Sequence, residues 1–154
     1  MFFDQRGFYS PPDATADIGA AELSTLLVDG ADFNGDGRVD QLRYDASTGN
    51  FTVLAGTTAA FELRPWGSID SSKTWGHALA GDFNGDGRED LLIQDVVSGD
   101  WTLGISEGSH FLMTELSQAT VWHKDMLLVG DFDGDGADEL LGRDNVNSNW
   151  GLLD

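Results

Sequence analysis

The sequence predicts an all-β fold: a β-propeller of about three four-stranded blades per chain, completed by self-association. Three observations lead to this prediction. An acidic, glycine-rich phrase occurs three times, as DFNGDGRVD at 32–40, DFNGDGRED at 82–90 and DFDGDGADE at 131–139. Short apolar or alternating segments separated by Gly, Asn, Asp and Ser fill the intervals, and none keeps a helical period. Repeats of about 50 residues with four short strands each are typical of propeller blades.

The strands of each repeat follow in a fixed order. An apolar segment leads into the acidic phrase, and the segment after it carries a leucine at one position: Leu42, Leu92 and Leu141. A polar turn comes next, with Gly49 and Gly99 suited to a positive φ angle. The third strand opens with an aromatic residue that we expect in the core: Phe51, Trp101 and Trp150. A fourth strand is predicted at AAFELRPW and SHFLMTEL.

Residues 1–154 are interpreted as a single repeat domain. The last repeat stops after its third strand, and GFYS near the start resembles the fourth-strand segments AFEL and HFLM. We therefore expect residues about 1–12 to supply the strand missing from the last blade. A window cut from a longer array would give the same offset, and this alternative stays open. Because three blades are fewer than the usual four to eight, either two copies associate or something else covers the open blade faces. We expect a homo-oligomer, with a dimer forming a six-bladed ring.

Charge and composition exclude several classes of partner. The chain has 8 basic and 27 acidic residues, a formal net charge of −19. This sign disfavours binding to nucleic acid and to anionic lipid. No apolar run is long enough for membrane insertion, and the spread of five Trp and nine Phe argues against disorder. The start of the chain shows no signal peptide, as a mature secreted chain also would not.

The acidic phrase has the ligand pattern of a calcium loop. It offers side-chain oxygens at its first, third, fifth and ninth positions, a main-chain carbonyl at the seventh, and glycines for a sharp turn at the fourth and sixth. The candidate metal ligands are Asp32, Asn34, Asp36, Arg38, Asp40, Asp82, Asn84, Asp86, Arg88, Asp90, Asp131, Asp133, Asp135, Ala137 and Glu139. We expect about three Ca²⁺ ions per chain. The second-position residues should pin each loop to the core: Phe33, Phe83 and Phe132.

Other metals and other calcium folds fit the phrase less well. Oxygen-only ligation in a roomy loop favours Ca²⁺ over Mg²⁺, and no soft ligand suggests zinc or copper. The twelfth position holds Arg43, Ile93 or Gly142 where an EF-hand has a bidentate Glu. Strands are predicted where an EF-hand or a dockerin has helices, so both are rejected.

The repeats resemble the FG-GAP/VCBS family, the calcium-binding blades of integrin α-subunit-like β-propellers. The resemblance rests on the D-x-[DN]-x-D-G-x-x-[DE] loop, on the approach in LAGDFNGDG and LVGDFDGDG, and on the following DLL-type strand. Ala31 in place of Gly, Glu139 in place of Asp, and the low blade count depart from the family pattern. The resemblance implies an extracellular or cell-surface location.

These observations predict a non-enzymatic calcium-binding module for extracellular recognition or assembly. His77, His110 and His123 occupy different repeat phases, and no catalytic motif spacing is present. A carbohydrate-binding, lectin-type propeller with sugar sites between blades is the alternative, and a protein ligand is equally compatible. Three tryptophans in the connections between blades could stack on sugars or fill the wedge between blades: Trp66, Trp75 and Trp122.

Overall fold

The described part of the chain is built of β-strands and their connections. The structure is a computed structural model that describes residues 2–3, 9–10, 25–116, 124–144 and 150–153. Within these ranges there are strands, turns and bends but no helix, and hence no helix that could span a bilayer. The all-β prediction is confirmed.

Three antiparallel sheets follow one another along the chain. The first sheet comprises β3 (Thr25–Ala31), β4 (Asp40–Asp45), β5 (Asn50–Gly56) and β6 (Phe61–Ser68). The second sheet comprises β7 (Trp75–Gly81), β8 (Asp90–Asp95), β9 (Trp101–Ser106) and β10 (Phe111–Leu116). The third sheet comprises β11 (Lys124–Gly130), β12 (Glu139–Asp144) and β13 (Trp150–Leu153). Each sheet pairs its strands in chain order, as a propeller blade does.

A separate two-stranded ribbon lies at the N-terminal end. Its strands are β1 (Phe2–Phe3) and β2 (Tyr9–Ser10), with Phe2 opposite Ser10. We predicted that residues about 1–12 complete the last blade. Residues 1, 4–8 and 11–12 lie outside the described part of the chain, so this assignment stays a prediction.

The first strands of the three sheets lie side by side. β3 contacts β7, and β7 contacts β11, while the other strands of each sheet extend outward from them. This arrangement brings the three acidic loops to one side of the molecule, because every loop directly follows the first strand of its sheet. Closure of the sheets into a ring stays a prediction.

Local sequence explains the strands and turns. β5 alternates buried and half-buried residues, the period expected for a strand with two different faces. β8, in the middle of the second sheet, is buried along its whole length. The turns that join β4 to β5 and β8 to β9 contain the glycines predicted for them, Gly49 with φ 77° and Gly99 with φ 83°. A Cβ atom on Gly49 would also lie 2.1 Å from the Ile69 carbonyl oxygen, so only glycine fits there.

Two hydrophobic cores lie between the three sheets. The first core joins the first sheet to the second and includes Leu42, Phe51 and Trp66 from one side with Leu91 and Phe111 from the other. The second core joins the second sheet to the third around the buried side chains of Leu92, Trp101 and Leu140. Each fully buried large apolar side chain stabilises the fold by about 1.5–3 kcal/mol. The sheets therefore pack face to face in the order of the sequence.

The tryptophan predictions have mixed outcomes. Trp101 is 1% exposed, as expected for a core residue, whereas Trp150 is 52% exposed and the prediction for it is wrong. Trp150 lies on the outer face of the third sheet, which no described residue covers. Trp66 is fully buried, so it fills the wedge between sheets and offers no ring face to a sugar. Trp75 is half-buried, and Trp122 lies outside the described residues.

Candidate metal centre

The opening aspartate organises each acidic loop through its carboxylate. In the first loop (residues 32–40), Asp32 Oδ1 accepts hydrogen bonds from the backbone N–H groups of Gly35 at 2.8 Å and Asp36 at 3.1 Å. Asp32 Oδ2 accepts from Gly37 N–H at 2.7 Å. Gly37 has a φ of 79°, a backbone conformation that glycine adopts without strain. The chain therefore curls around this carboxylate.

The second and third loops repeat this arrangement. In the second loop (residues 82–90), Asp82 accepts from Asp86 N–H at 2.9 Å and Gly87 N–H at 2.7 Å. In the third loop (residues 131–139), Asp131 accepts from Gly134 N–H at 2.6 Å and Gly136 N–H at 3.1 Å. The sixth-position glycine donates to the opening carboxylate in all three loops. The fourth position also donates in the first and third loops, and the fifth position in the first and second. The sequence repeat is therefore also a structural repeat.

The fifth-position carboxylates also turn toward their own loops. Asp36, Asp86 and Asp135 each accept a hydrogen bond from the N–H group two residues later, at 3.0, 3.0 and 2.9 Å. The seventh-position arginines of the first two loops add side-chain contacts, because Arg38 and Arg88 pair with Asp36 and Asp86 at 3.2 and 2.5 Å. The loop pattern predicted only a carbonyl contact from these arginines and gave no indication of the ion pairs.

The ninth-position carboxylates are buried under the loops. Asp40 and Asp90 are 0% exposed and Glu139 is 2% exposed. Asp90 Oδ1 accepts from Ser106 N–H at 2.7 Å, and Glu139 Oε2 accepts from Phe132 N–H at 2.8 Å. Their second oxygens, Asp90 Oδ2 and Glu139 Oε1, are buried without a hydrogen-bond partner of normal geometry, although the Phe83 N–H group lies close enough to lower the pKa of Asp90. A buried carboxylate oxygen without a donor is costly, and a cation is a partner that would stabilise it.

Asp40 closes the first loop differently. Its Oδ1 accepts from Gly56 N–H at 2.8 Å, and its Oδ2 accepts from the Asn34 side-chain amide at 3.0 Å. In the second loop the equivalent amide of Asn84 donates to Asp86 Oδ2 at 3.0 Å. Each third-position Asn side chain thus donates to one carboxylate of its own loop, and the third loop has Asp133 at this position instead.

The third loop gathers the most negative charge. Asp131, Asp133, Asp135 and Glu139 can each place one carboxylate oxygen so that all four lie within 4.8 Å of one another. An all-oxygen donor set of this kind suits a hard divalent cation. Four of the five residues predicted as ligands in this loop are therefore close together, and the fifth, Ala137, would contribute its main-chain carbonyl.

Burial shapes the electrostatics of the ninth position. Burial raises the pKa of Asp90 from its ordinary value of 3.8 to about 6, and the neighbouring charges of Asp86 and Asp82 act in the same direction. Burial likewise raises the pKa of Asp40, against the lowering effect of its hydrogen bond from Gly56. Both sites therefore disfavour the ionised form that they need for holding a metal, unless a cation is bound.

The raised pKa of Asp90 predicts how stability changes with pH without calcium. Because the folded-state pKa exceeds the ordinary value, this carboxyl contributes stability below pH about 4 that is lost as pH rises through about 6. In calcium-depleted buffer at pH 7, Asp90→Asn should therefore be more stable than wild type by about 1–3 kcal/mol. Urea unfolding between pH 4 and 7 measures this difference, and a difference that does not change with pH would contradict it.

The comparison with known families agrees with the repeated loops. The sequence profile of the FG-GAP-like repeat matches residues 32–93, from the start of the first loop into β8. This segment is an FG-GAP-like repeat. The family resemblance seen in the sequence is thereby confirmed over these residues. No curated protein and no solved structure gives a significant match to the chain.

The third loop lies outside the matched segment but repeats part of the same geometry. Its sixth-position glycine donates to the opening aspartate, and its fifth-position aspartate accepts from the N–H group two residues later, as in the first two loops. Its buried ninth-position carboxylate accepts from Phe132 N–H instead of from the third strand of its sheet. The second-position phenylalanines differ, however. Phe33 is fully buried and Phe83 packs against the second core, as predicted. Phe132 is 48% exposed, so the prediction is wrong for this residue, because no described sheet covers the outer side of the third.

Neighbouring loops are joined by their eighth residues, for which the sequence pattern predicted no role. Glu89 N–H donates to the Asp32 carbonyl at 3.0 Å, and Asp138 N–H donates to the Asp82 carbonyl at 2.7 Å. The Asp138 carboxylate also accepts from Asp82 N–H at 2.9 Å. Burial, followed by the charge of Asp138, raises the pKa of Glu89. The acidic residue at the eighth position of two of the three loops was the sequence signal that could have indicated this role.

Ser106 also makes contacts between loops that the loop pattern did not predict. Its hydroxyl donates to the Phe33 carbonyl at 2.5 Å, and its own carbonyl accepts from Arg88 Nε at 3.0 Å. It also donates its N–H to Asp90. This buried serine at the end of β9 therefore ties the first loop to the second.

Proposed function

We propose that this chain is a calcium-binding, FG-GAP-like β-propeller repeat module that binds about three Ca²⁺ ions and acts without catalysing a reaction. The observation that carries the proposal is the pair of buried carboxylate oxygens without donors, on Asp90 and Glu139. Each lies at the closing position of a loop in which further carboxylates are gathered. A bound cation would supply the missing partner and offset the mutual repulsion of those carboxylates.

The proposed ligands are the predicted ones. In each loop, side-chain oxygens would come from the first, third, fifth and ninth residues, and a carbonyl oxygen from the seventh. These oxygens are hard ligands, which favours Ca²⁺ or Mg²⁺ over zinc or copper. Ca²⁺ accepts the larger number of protein oxygens that each loop offers, whereas Mg²⁺ retains more of its water.

We propose that the module works outside cells in recognition or assembly. Extracellular calcium is millimolar, a concentration that suits weak extracellular calcium modules. Two chains would associate so that their sheets form a six-bladed ring. The high negative charge, formally −19, supports partners other than nucleic acid or anionic membranes.

Isothermal titration calorimetry of loop variants tests the proposal. Asp32→Ala, Asp82→Ala and Asp131→Ala each remove the carboxylate around which one loop curls, so each should reduce the calcium stoichiometry from about three to about two. Asp100→Ala is the control, because Asp100 is exposed and lies outside the loops. Circular dichroism in calcium should show that every variant remains folded. Unchanged stoichiometry in all three loop variants would contradict the proposal.

Carbohydrate binding is a second candidate, favoured by one pocket between the first and second sheets. The pocket has a volume of about 220 Å³ and is lined by Ser68, Ile69, Asp70, Trp75, Thr102, Met113 and Glu115. Trp75 Nε1 donates to the Asp70 carbonyl at 2.9 Å, which fixes the ring at the pocket wall. A glycan array with wild type and Trp75→Ala tests this candidate: no sugar bound at micromolar concentration would reject it.

A further inference from the structure

The junction between the first and second sheets is built around one aromatic side chain. Phe111 at the start of β10 is 6% exposed and belongs to the first core. Its ring meets those of Phe33, Phe51 and Trp66 with centroids 5.6, 5.8 and 6.2 Å apart, each in an edge-to-face arrangement. Such pairs contribute beyond the apolar area they bury. The second sheet thus inserts Phe111 into an aromatic socket on the first.

The outer faces of the first and third sheets carry residues equivalent to the two sides of this junction. The first sheet has the equivalent of Phe111, the third sheet has equivalents of the socket, and both are exposed. Phe61 holds the position of Phe111, because each is the first residue of its sheet's fourth strand, and it is 59% exposed. On the third sheet, Phe132 and Trp150 hold the positions of Phe33 and Phe51, and they are 48% and 52% exposed. Two of the three rings of a socket and an unburied insert therefore occur exposed in the same chain.

The apolar face around the socket continues an established interface. In the second sheet, Leu79 and Leu103 belong to the core that packs against the third sheet. The equivalent residues Leu128 and Leu152 are paired with Leu141 across β11, β12 and β13, so the three share one face. Leu128 is 45% exposed and Leu152 is 48% exposed. The third sheet thus presents the kind of face that the second sheet buries.

The series of backbone hydrogen bonds between loops has a donor group at one end and an acceptor group at the other. Asp32 and Asp82 accept at their carbonyls from the eighth residue of the following loop. At the two ends of this series stand the N–H group of Val39, the eighth residue of the first loop, and the carbonyl of Asp131. Val39 is 59% exposed. The Val39 N–H group is a donor and the Asp131 carbonyl is an acceptor, so these two groups are complementary.

We propose that a second copy of this chain docks its first sheet onto the third sheet. Phe61 of one copy inserts between Phe132 and Trp150 of the other, and the Val39 N–H donates to the Asp131 carbonyl. The contact is head-to-tail, so a ring of two copies contains it twice. This inference rests on the proposed self-association and specifies the surfaces that produce it.

The sequence of the docking face also indicates the strength of the contact. Gln41 and Arg43 occupy the positions that Leu91 and Ile93 hold in the second sheet, where both leucine and isoleucine are buried. The contact between copies therefore buries less apolar surface than the junctions within the chain. It is the weakest of the three junctions and dissociates on dilution.

Light scattering and sedimentation of three variants in millimolar CaCl₂ test the docking surfaces. Wild type should have about twice the mass of the 16.6 kDa chain. Phe61→Asp and Trp150→Asp should each weaken association at least tenfold, because each places a charge in a desolvated aromatic contact. Val97→Asp is the matched control, since Val97 is 80% exposed in the turn between β8 and β9 and should leave the mass unchanged.

Mixing the two variants distinguishes this contact from a symmetric one. Phe61→Asp retains an intact Trp150 and Trp150→Asp retains an intact Phe61, so an equimolar mixture should recover dimers through one intact junction. Association that survives both single substitutions, no recovery on mixing, or a monomeric wild type would overturn the docking proposal. Calcium stoichiometry of the variants, measured by calorimetry, should remain about three. A monomeric wild type that binds about three Ca²⁺ ions would therefore overturn the docking proposal but not the metal sites. A dimeric wild type that binds no calcium would overturn the metal sites but not the docking proposal.

Discussion

Removing calcium with excess EDTA should lower the melting temperature of the chain by at least about 10 °C. Millimolar calcium at about ten times the dissociation constant of a weak site stabilises the folded state by about 1.4 kcal/mol per site. For a domain of this size, each kcal/mol shifts the melting temperature by about 2–4 °C. Three sites and the repulsion among their carboxylates act together, so the effect should be the largest of any change in buffer.

Differential scanning calorimetry in millimolar CaCl₂, in EDTA and in MgCl₂ measures this effect. Magnesium is the matched control, because it carries the same charge but suits the loops less well. Raising the salt concentration without calcium tests general charge screening and should recover only a small part of the loss. A melting temperature that is the same in calcium and in EDTA would contradict metal binding by the loops.

Phe111→Ala should destabilise the chain by about 3–5 kcal/mol, the range for removing a buried aromatic ring. Phe111 joins the first sheet to the second by contacting three aromatic rings. Its removal should leave a cavity between the two sheets and reduce the cooperativity with which they unfold. Urea unfolding in saturating calcium, followed by tryptophan fluorescence and circular dichroism, measures the loss.

Leu112→Ala is the control for this substitution. Leu112 is the next residue along β10 but is 57% exposed, so its truncation should change the free energy of unfolding by less than about 0.5 kcal/mol. Equal effects of the two substitutions would show that the first core does not hold the first two sheets together in the way described.

The repeat in the sequence was sufficient to predict the parts that depend on local chemistry. The spacing of Asp32, Asp82 and Asp131 located the loops, and the alternating segments around them located the strands. Gly49 and Gly99 were predicted in turns because few other residues adopt their backbone angles without strain. These features recur in every copy, so one sequence contains three observations of each.

Features that depend on the neighbouring sheet were not predictable in this way. Phe33 and Phe132 occupy the same repeat position, yet one is buried by the second sheet and the other is exposed at the outer face of the third. Trp101 and Trp150 differ for the same reason. Repeat position determines which way a side chain points, but burial also requires a sheet on that side. The loop-to-loop bonds of Glu89 and Asp138 likewise arise only when two sheets pack together.

Native mass spectrometry of the chain after equilibration with calcium acetate counts the bound ions directly. Three Ca²⁺ ions should be bound per 16.6 kDa chain, with one fewer for each loop whose opening aspartate is replaced by alanine. A spectrum of the folded chain without bound calcium would contradict this expectation, and the acidic loops would then be turns that hold no metal.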